Sequence, residues 1–301
     1  MTDQVLLHRE HQTGRSPLRR TAMDGPKTIL VHIQSEATLC NRLENALSLA
    51  RASGAHLHCL HVTPYETYAA YEGFGGILIA SDAVLAIDEQ NAAMRARVEA
   101  ELKNEDVSWN FNQTTGNIVG SILSHAALSD LIVTGREQRS FASAGRSIGQ
   151  LGDLVSRSRT PIFIASDQES VDPTAPVIIA WDSSQAAADA VRGSISLLKL
   201  ASAVHVVAIT EYDRSEEFPG TLLLEFLSRH GIHAELSVDG SDMKRPEPNY
   251  VAAVLMGKAA SLGASYIVMG GYNHSRIGEF MFGGVTRKLL TNGTVPIVIA
   301  H

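Results

Sequence analysis

Hydrophobic positions fall into two patterns along this chain. Short runs such as Val177–Ala180 and Ile297–Ala300 are apolar at every position, with no polar alternation. That pattern marks parallel strands covered on both faces. Between such runs lie segments with the helical period: Leu39–Ala52, Ala83–Leu102, Ile118–Ala127, Gln185–Leu200, Thr221–His230 and Tyr250–Leu262. Ser183 or Ser184 is placed to cap the fourth of these. Gly54 and Gly263 stand where helices end. Strand and helix alternate, so the pattern predicts a doubly wound, Rossmann-like or flavodoxin-like α/β fold with right-handed crossovers.

The pattern occurs twice. Ile29–Ile33 corresponds to Val177–Trp181, His56–Val62 to Val204–Ile209, Asp130–Gly135 to Ser265–Gly270, and Thr160–Ala165 to Val295–Ala300. Copies lie roughly 147 residues apart early and roughly 135 apart late, so the first copy carries about a dozen extra residues in its middle. Two domains with five parallel strands each are expected, at 27–167 and 177–301. The acidic, Pro-containing stretch 168–176 reads as a linker, and the aperiodic 1–26 as a mobile N-terminal tail. The terminal runs Pro161–Ala165 and Pro296–Ala300 are edge strands suited to pairing between domains or chains.

Composition narrows the class. The chain has 301 residues, 45% hydrophobic, with a net charge of -7. That is too apolar for a disordered chain, and no apolar run approaches the roughly 18 residues of a membrane span. Mild acidity leaves no electrostatic footprint for nucleic acid. The two cysteines, Cys40 and Cys59, cannot build a disulfide framework or a cysteine zinc site, and they suit a reducing, cytoplasmic compartment.

In an open α/β sheet, ligands bind beyond the carboxyl ends of the strands, where strand order reverses. In the second copy the first strand runs into Trp181-Asp182-Ser183-Ser184, and the fourth into Gly270-Gly271-Tyr272-Asn273-His274-Ser275-Arg276. Phe282-Gly283-Gly284-Val285-Thr286 opens the last helix. A strand-end carboxylate can accept hydrogen bonds from a nucleoside. Glycines let backbone N–H groups approach a phosphate, and a helix N-terminus favours its charge. Asp182 could equally cap the following helix, and the glycines could serve only a turn and tight packing.

At these residues the chain resembles the universal stress protein family in its tandem form. Nucleotide-binding members of that family carry an Asp after the first strand and a G-2x-G-9x-G-[ST] pattern after the fourth. Asp182 takes the position that contacts the nucleoside, and Ile209 the position whose backbone meets the adenine. Gly270 and Gly283 match the first and third glycines; Asn273 stands for the second glycine and Gly284 for the hydroxyl residue. Asn tolerates the left-handed region best among non-glycine residues. The first copy departs further, with Gln34 in place of the Asp and Arg136-Glu137-Gln138 after Gly135. The resemblance therefore implies ATP or another adenine nucleotide in the second domain only. No metal is expected beyond one accompanying that nucleotide.

Other patterns carry less. His56 and His58 share one strand face and His61 takes the other, which does not converge three ligands on a metal. Gly145-Arg146-Ser147-Ile148-Gly149 spells G-x-S-x-G but does not directly follow a strand. No G-x-x-x-x-G-K-[ST] occurs. Tyr65, Tyr68, Tyr71 and Phe74 form a stripe expected to pack on its own domain. The expectation is a cytoplasmic stress-response regulator, not an enzyme, with paired domains and a homodimer, and without nucleic-acid or membrane partners. Its rivals are a nucleotide-free scaffold with relic motifs and a slow ATP hydrolase.

Overall fold

A computed structural model describes residues 25–34, 39–65, 67, 77–136, 144–166, 170–210, 219–240, 247–271 and 282–300. The first half contributes β1 (Thr28–Ile33), β2 (His56–Pro64), β3 (Trp109–Gly116), β4 (Leu131–Gly135) and β5 (Ile162–Ala165). The second contributes β6 (Val177–Trp181), β7 (Val204–Thr210), β8 (Ala234–Gly240), β9 (Ile267–Gly270) and β10 (Ile297–Ala300). Among the described residues these form one ten-stranded sheet, in the order β3-β2-β1-β4-β5-β10-β9-β6-β7-β8. Every pairing within a half is parallel. The α/β, doubly wound fold with tandem copies is thus observed, and each half reverses strand order once, at β1–β4 and at β6–β9.

The halves join through their last strands. β5 and β10 pair antiparallel, with Ile164 opposite Ile297, Phe163 opposite Val298 and Ile162 opposite Ile299. This joins the two edges expected to seek a partner and removes both as exposed templates. Phe163 and Tyr266 meet edge-on across the junction at 6.2 Å. The Arg136 guanidinium donates to the Val295 carbonyl, bonding the first half to the second. At the corresponding place after β9, a Cβ on Gly271 would lie 2.7 Å from Val155 Cγ1 of the first half. Before β6, the Val171 N–H donates to Asn45 Oδ1 at 2.9 Å, so this stretch is packed against the first domain.

The described helices are α1 (Leu39–Ser53), α2 (Ile77–Leu102), α3 (Ile118–His125), α4 (Ala144–Arg157), α5 (Gln185–Gly193), α6 (Ile195–Leu198), α7 (Gly220–Arg229), α8 (Pro248–Leu262) and α9 (Gly284–Asn292). Residues of α1, α2, α5, α6 and α7 share one core layer with one face of the sheet. Those of α3, α4, α8 and α9 share the other. Both layers run through both halves, which makes the molecule one continuous three-layer body.

The Gln185–Leu200 segment, expected as one helix, is two. Ser194 closes α5 and opens α6. The break follows from tertiary approach: a Cβ on Gly193 would lie 2.8 Å from Pro161 Cγ at the junction. Ser184 is the residue that caps α5, accepting from the Ala187 N–H at 3.2 Å. Gly54 and Gly263, after α1 and α8, adopt φ of 66° and 61°, the left-handed turn glycine permits.

Candidate functional site

Strand order reverses once in each half, at β1–β4 and at β6–β9, so the carboxyl ends of the strands have two switch points where a ligand crevice is expected. In the second half, Asp182 follows β6 directly. Its Oδ1 accepts from the Ser184 N–H at 3.1 Å and from the Ser184 hydroxyl at 2.6 Å. Ser183 between them has φ 60°, a conformation costing a residue with a Cβ about 1 kcal/mol. Asp182 therefore organises the turn that starts α5, and it does so while exposed at the crevice.

Gly270 ends β9, the neighbour of β6. A Cβ there would stand 2.7 Å from the Ala186 carbonyl carbon and 2.7 Å from the Ala187 nitrogen. Only glycine lets the first turn of α5 come this close. Gly283 is the N-cap of α9 and is exposed, and no side chain caps the helix. Because α9 leads back into β10, parallel to β9, its N-terminus lies at the same carboxyl edge. Its first-turn N–H groups suit an anion.

Gly284 has a structural cause that the sequence did not reveal. A Cβ there would lie 2.6 Å from Pro248 Cγ, so the hydroxyl residue of the family pattern would collide with the start of α8. Ile209 lies near the end of β7, half-buried and opposite Asp239. Asn273, with His274 and Arg276, lies outside the described residues. The crevice thus brings Asp182, Gly270 and the α9 N-terminus to one edge, with Ile209 one strand away.

The first half is built differently. Gln34 follows β1 and is exposed where Asp182 stands in the second. A Cβ on Gly135 would meet the Arg42 guanidinium. Arg42 comes from α1, is only 2% exposed, and donates from Nη1 to the His32 carbonyl at 2.7 Å. Its burial was legible in principle, because it shares a helical stripe with Leu39, Leu43 and Ala46.

Beside β1 and β4, on the α3–α4 face, lies a small cleft of about 20 Å³, room for about one water molecule. His32, Gln34, Thr134 and Gly135 line it from the strands, and Ile122 and Leu151 from the helices. His32 is 5% exposed. Burial, then Arg42 and His61, hold its imidazole down to about 3, so it is neutral at physiological pH.

The three histidines of β2 have separate surroundings. His56 lies 2.7 Å from Ser108 Oγ and 2.8 Å from Asn110 Oδ1. His61 Nδ1 donates to the Ile33 carbonyl at 3.0 Å. His58 packs on the His125 ring at 5.8 Å, and burial, with His125 and His56, lowers its pKa. Among the described residues no three His, Cys, Asp or Glu groups gather as metal ligands. Ser147 of the G-x-S-x-G match lies within α4, not on a strand-to-helix turn. Tyr65 is exposed, whereas Tyr68, Tyr71 and Phe74 lie outside the described residues. No described helix is long and apolar enough to cross a membrane.

Residues 25–164 match the model of the universal stress protein family. The whole fold is similar to a universal stress protein from Archaeoglobus fulgidus DSM 4304. That likeness has TM-score 0.68 and 15% identity, and covers 91% of this chain and 95% of that one. It is also similar to a functionally unknown protein from Pseudomonas aeruginosa PAO1, with TM-score 0.55 and 16% identity, covering 93% of this chain and 94% of that one. At these identities the likeness concerns the fold. No curated protein matches the sequence.

Proposed function

We propose, from the match of residues 25–164 to the model of the universal stress protein family, that the chain is a cytoplasmic stress-response regulator of that family whose second domain binds an adenine nucleotide without turning it over. One observation carries the reading. The turn at Asp182, the close-packed Gly270 and the N-terminus of α9, with no side-chain cap among the described residues, lie at the same carboxyl edge as the switch point between β6 and β9. The α9 amides and the helix dipole suit the phosphates. Asp182 is exposed at this edge, and its Oδ1 holds Ser184. Gly284 supplies a backbone N–H in place of a hydroxyl.

The non-catalytic part of the reading rests on the sequence, in which no nucleophile, general base and orienting group are brought together by position. Regulation then requires that nucleotide bind two states of the protein unequally. Calorimetry with ATP, ADP and AMP tests it. One saturable site per chain is expected, weakened about tenfold in Asp182→Asn, which retains the acceptor for Ser184 but removes the charge. Phosphate release should stay at the blank rate. Absence of saturation at millimolar nucleotide would favour the scaffold reading, and Asp182-dependent phosphate release would favour a hydrolase.

A further inference from the structure

Among the described residues the sheet ends at β3 on one side and at β8 on the other. The pairing of β5 with β10 closes the inner edges, so these two are the edges that remain. They are built differently. β8 carries Glu235 and Asp239, with Glu235 exposed. β3 runs Trp-Asn-Phe-Asn-Gln-Thr-Thr-Gly, without a charge or a proline. It pairs with β2 in unbroken register from Trp109 to Gly116, so no bulge turns it aside. Asn112, Gln113 and Thr115 are exposed along it. Charges, prolines and bulges are the usual guards of a sheet edge. β8 has the first of these, and β3 has none.

The backbone sets what such an edge can pair with. The Leu57 N–H donates to the Ser108 carbonyl, so in this parallel ladder Asn110, Asn112 and Thr114 turn their N–H and C=O groups toward β2. Those of Trp109, Phe111, Gln113 and Thr115 point outward. A second β3 laid antiparallel, with a two-fold axis at Asn112, sets Trp109 opposite Thr115 and Phe111 opposite Gln113 of the second copy. Every outward group then has a counterpart, and no charge meets a like charge. The charges beside this edge already neutralise each other: Arg95 donates to Glu99 at 2.7 Å and lies over the Phe111 ring at 5.6 Å. The same operation on β8, about Ser237, would set Glu235 against Asp239, a like-charge pair directly opposite.

We propose that β3 is the surface through which two copies of this chain associate, pairing antiparallel about Asn112 so that the sheet continues from one molecule into the other. A two-fold contact is self-complementary and closes, so the unguarded edge is consumed in a dimer and does not grow a fibre. One strand edge with its flanking side chains falls at the low end of interface sizes, so the dimer is reversible and concentration-dependent.

Sedimentation velocity of the full chain over rising concentration tests this, with and without changes at Asn112. The wild type should pass from one chain to two and no further. Asn112→Lys places two ammonium groups opposite each other at the axis, where side chains come closest, and should weaken the dimer about fivefold; Asn112→Glu should do the same. An equimolar mixture of the two variants should regain it, because opposite charges then meet across the axis. Since both variants are present in that mixture, recovery separates the contact from any damage to the fold. A wild type that stays single at near-millimolar concentration would leave the edge to a different partner and overturn the proposal. A dimer indifferent to both variants, a mixture that fails to recover, or growth past two chains through β3 on β8 would also overturn it.

Discussion

At the ends of β1 and β4 the crevice floor carries His32 and Thr134; at the ends of β6 and β9 it carries Ala180 and Met269. The glycine closing the strand differs in the same way. Gly135 is met by a long side chain, Arg42, whereas Gly270 is met by the backbone of α5 itself. The strand order is the same in both halves, and the core layers are shared. Topology thus places a switch point in each half, and the side chains one step past the shared core decide what each can hold. One half holds a neutral polar floor under apolar walls. The other presents the exposed Asp182 turn and the N-terminus of α9.

The sharpest way to break this comparison is to break what the halves share. Phe163 is fully buried at the junction against Tyr266. Phe163→Ala should cost about 4 kcal/mol in urea unfolding while keeping a single transition, because both core layers cross the junction. Two separated transitions would show the halves to be independent. Gly270→Ala comes next. Its Cβ would press on main-chain atoms that cannot rotate away, so about 3 kcal/mol is expected, together with loss of nucleotide affinity.

Acidification should act on the first half. Native His32 resists the proton until about 3, whereas the unfolded chain takes it near 6.5. Stability contributed by this residue is therefore complete above 6.5 and falls as pH drops through the window down to about 3. From pH 7 to pH 5 the wild type should lose about 2 kcal/mol relative to His32→Phe, measured by urea unfolding at each pH. Ser184→Ala should have the smallest effect, about 1 kcal/mol from the lost α5 cap. It should also weaken nucleotide binding, since Asp182 Oδ1 loses the hydroxyl that orients it.

Much of this architecture was legible. Unbroken apolar runs announced parallel strands, their recurrence announced two copies, and the edge positions of Pro161–Ala165 and Pro296–Ala300 pointed to the observed junction. What escaped depends on approach between distant segments. The helix break after Gly193 answers to Pro161, and the missing hydroxyl at Gly284 answers to Pro248. Neither contact has a local signature. His32 was visible as a histidine on a strand, but its place on the strand beside that of Thr134 needs the β1–β4 adjacency that a linear pattern does not contain. Arg136 looked like motif decay and proves to be a bond across the junction.

Hydrogen exchange of the full chain, with and without saturating ATP, tests the division of labour most directly. The account predicts slowed exchange at the first-turn amides of α9, at Val285 and Thr286, and in the turn after Asp182. Amides around His32, Thr134 and the facing turns of α3 and α4 should be unchanged. Protection centred on the first-domain cleft, or equal protection in both halves, would contradict it.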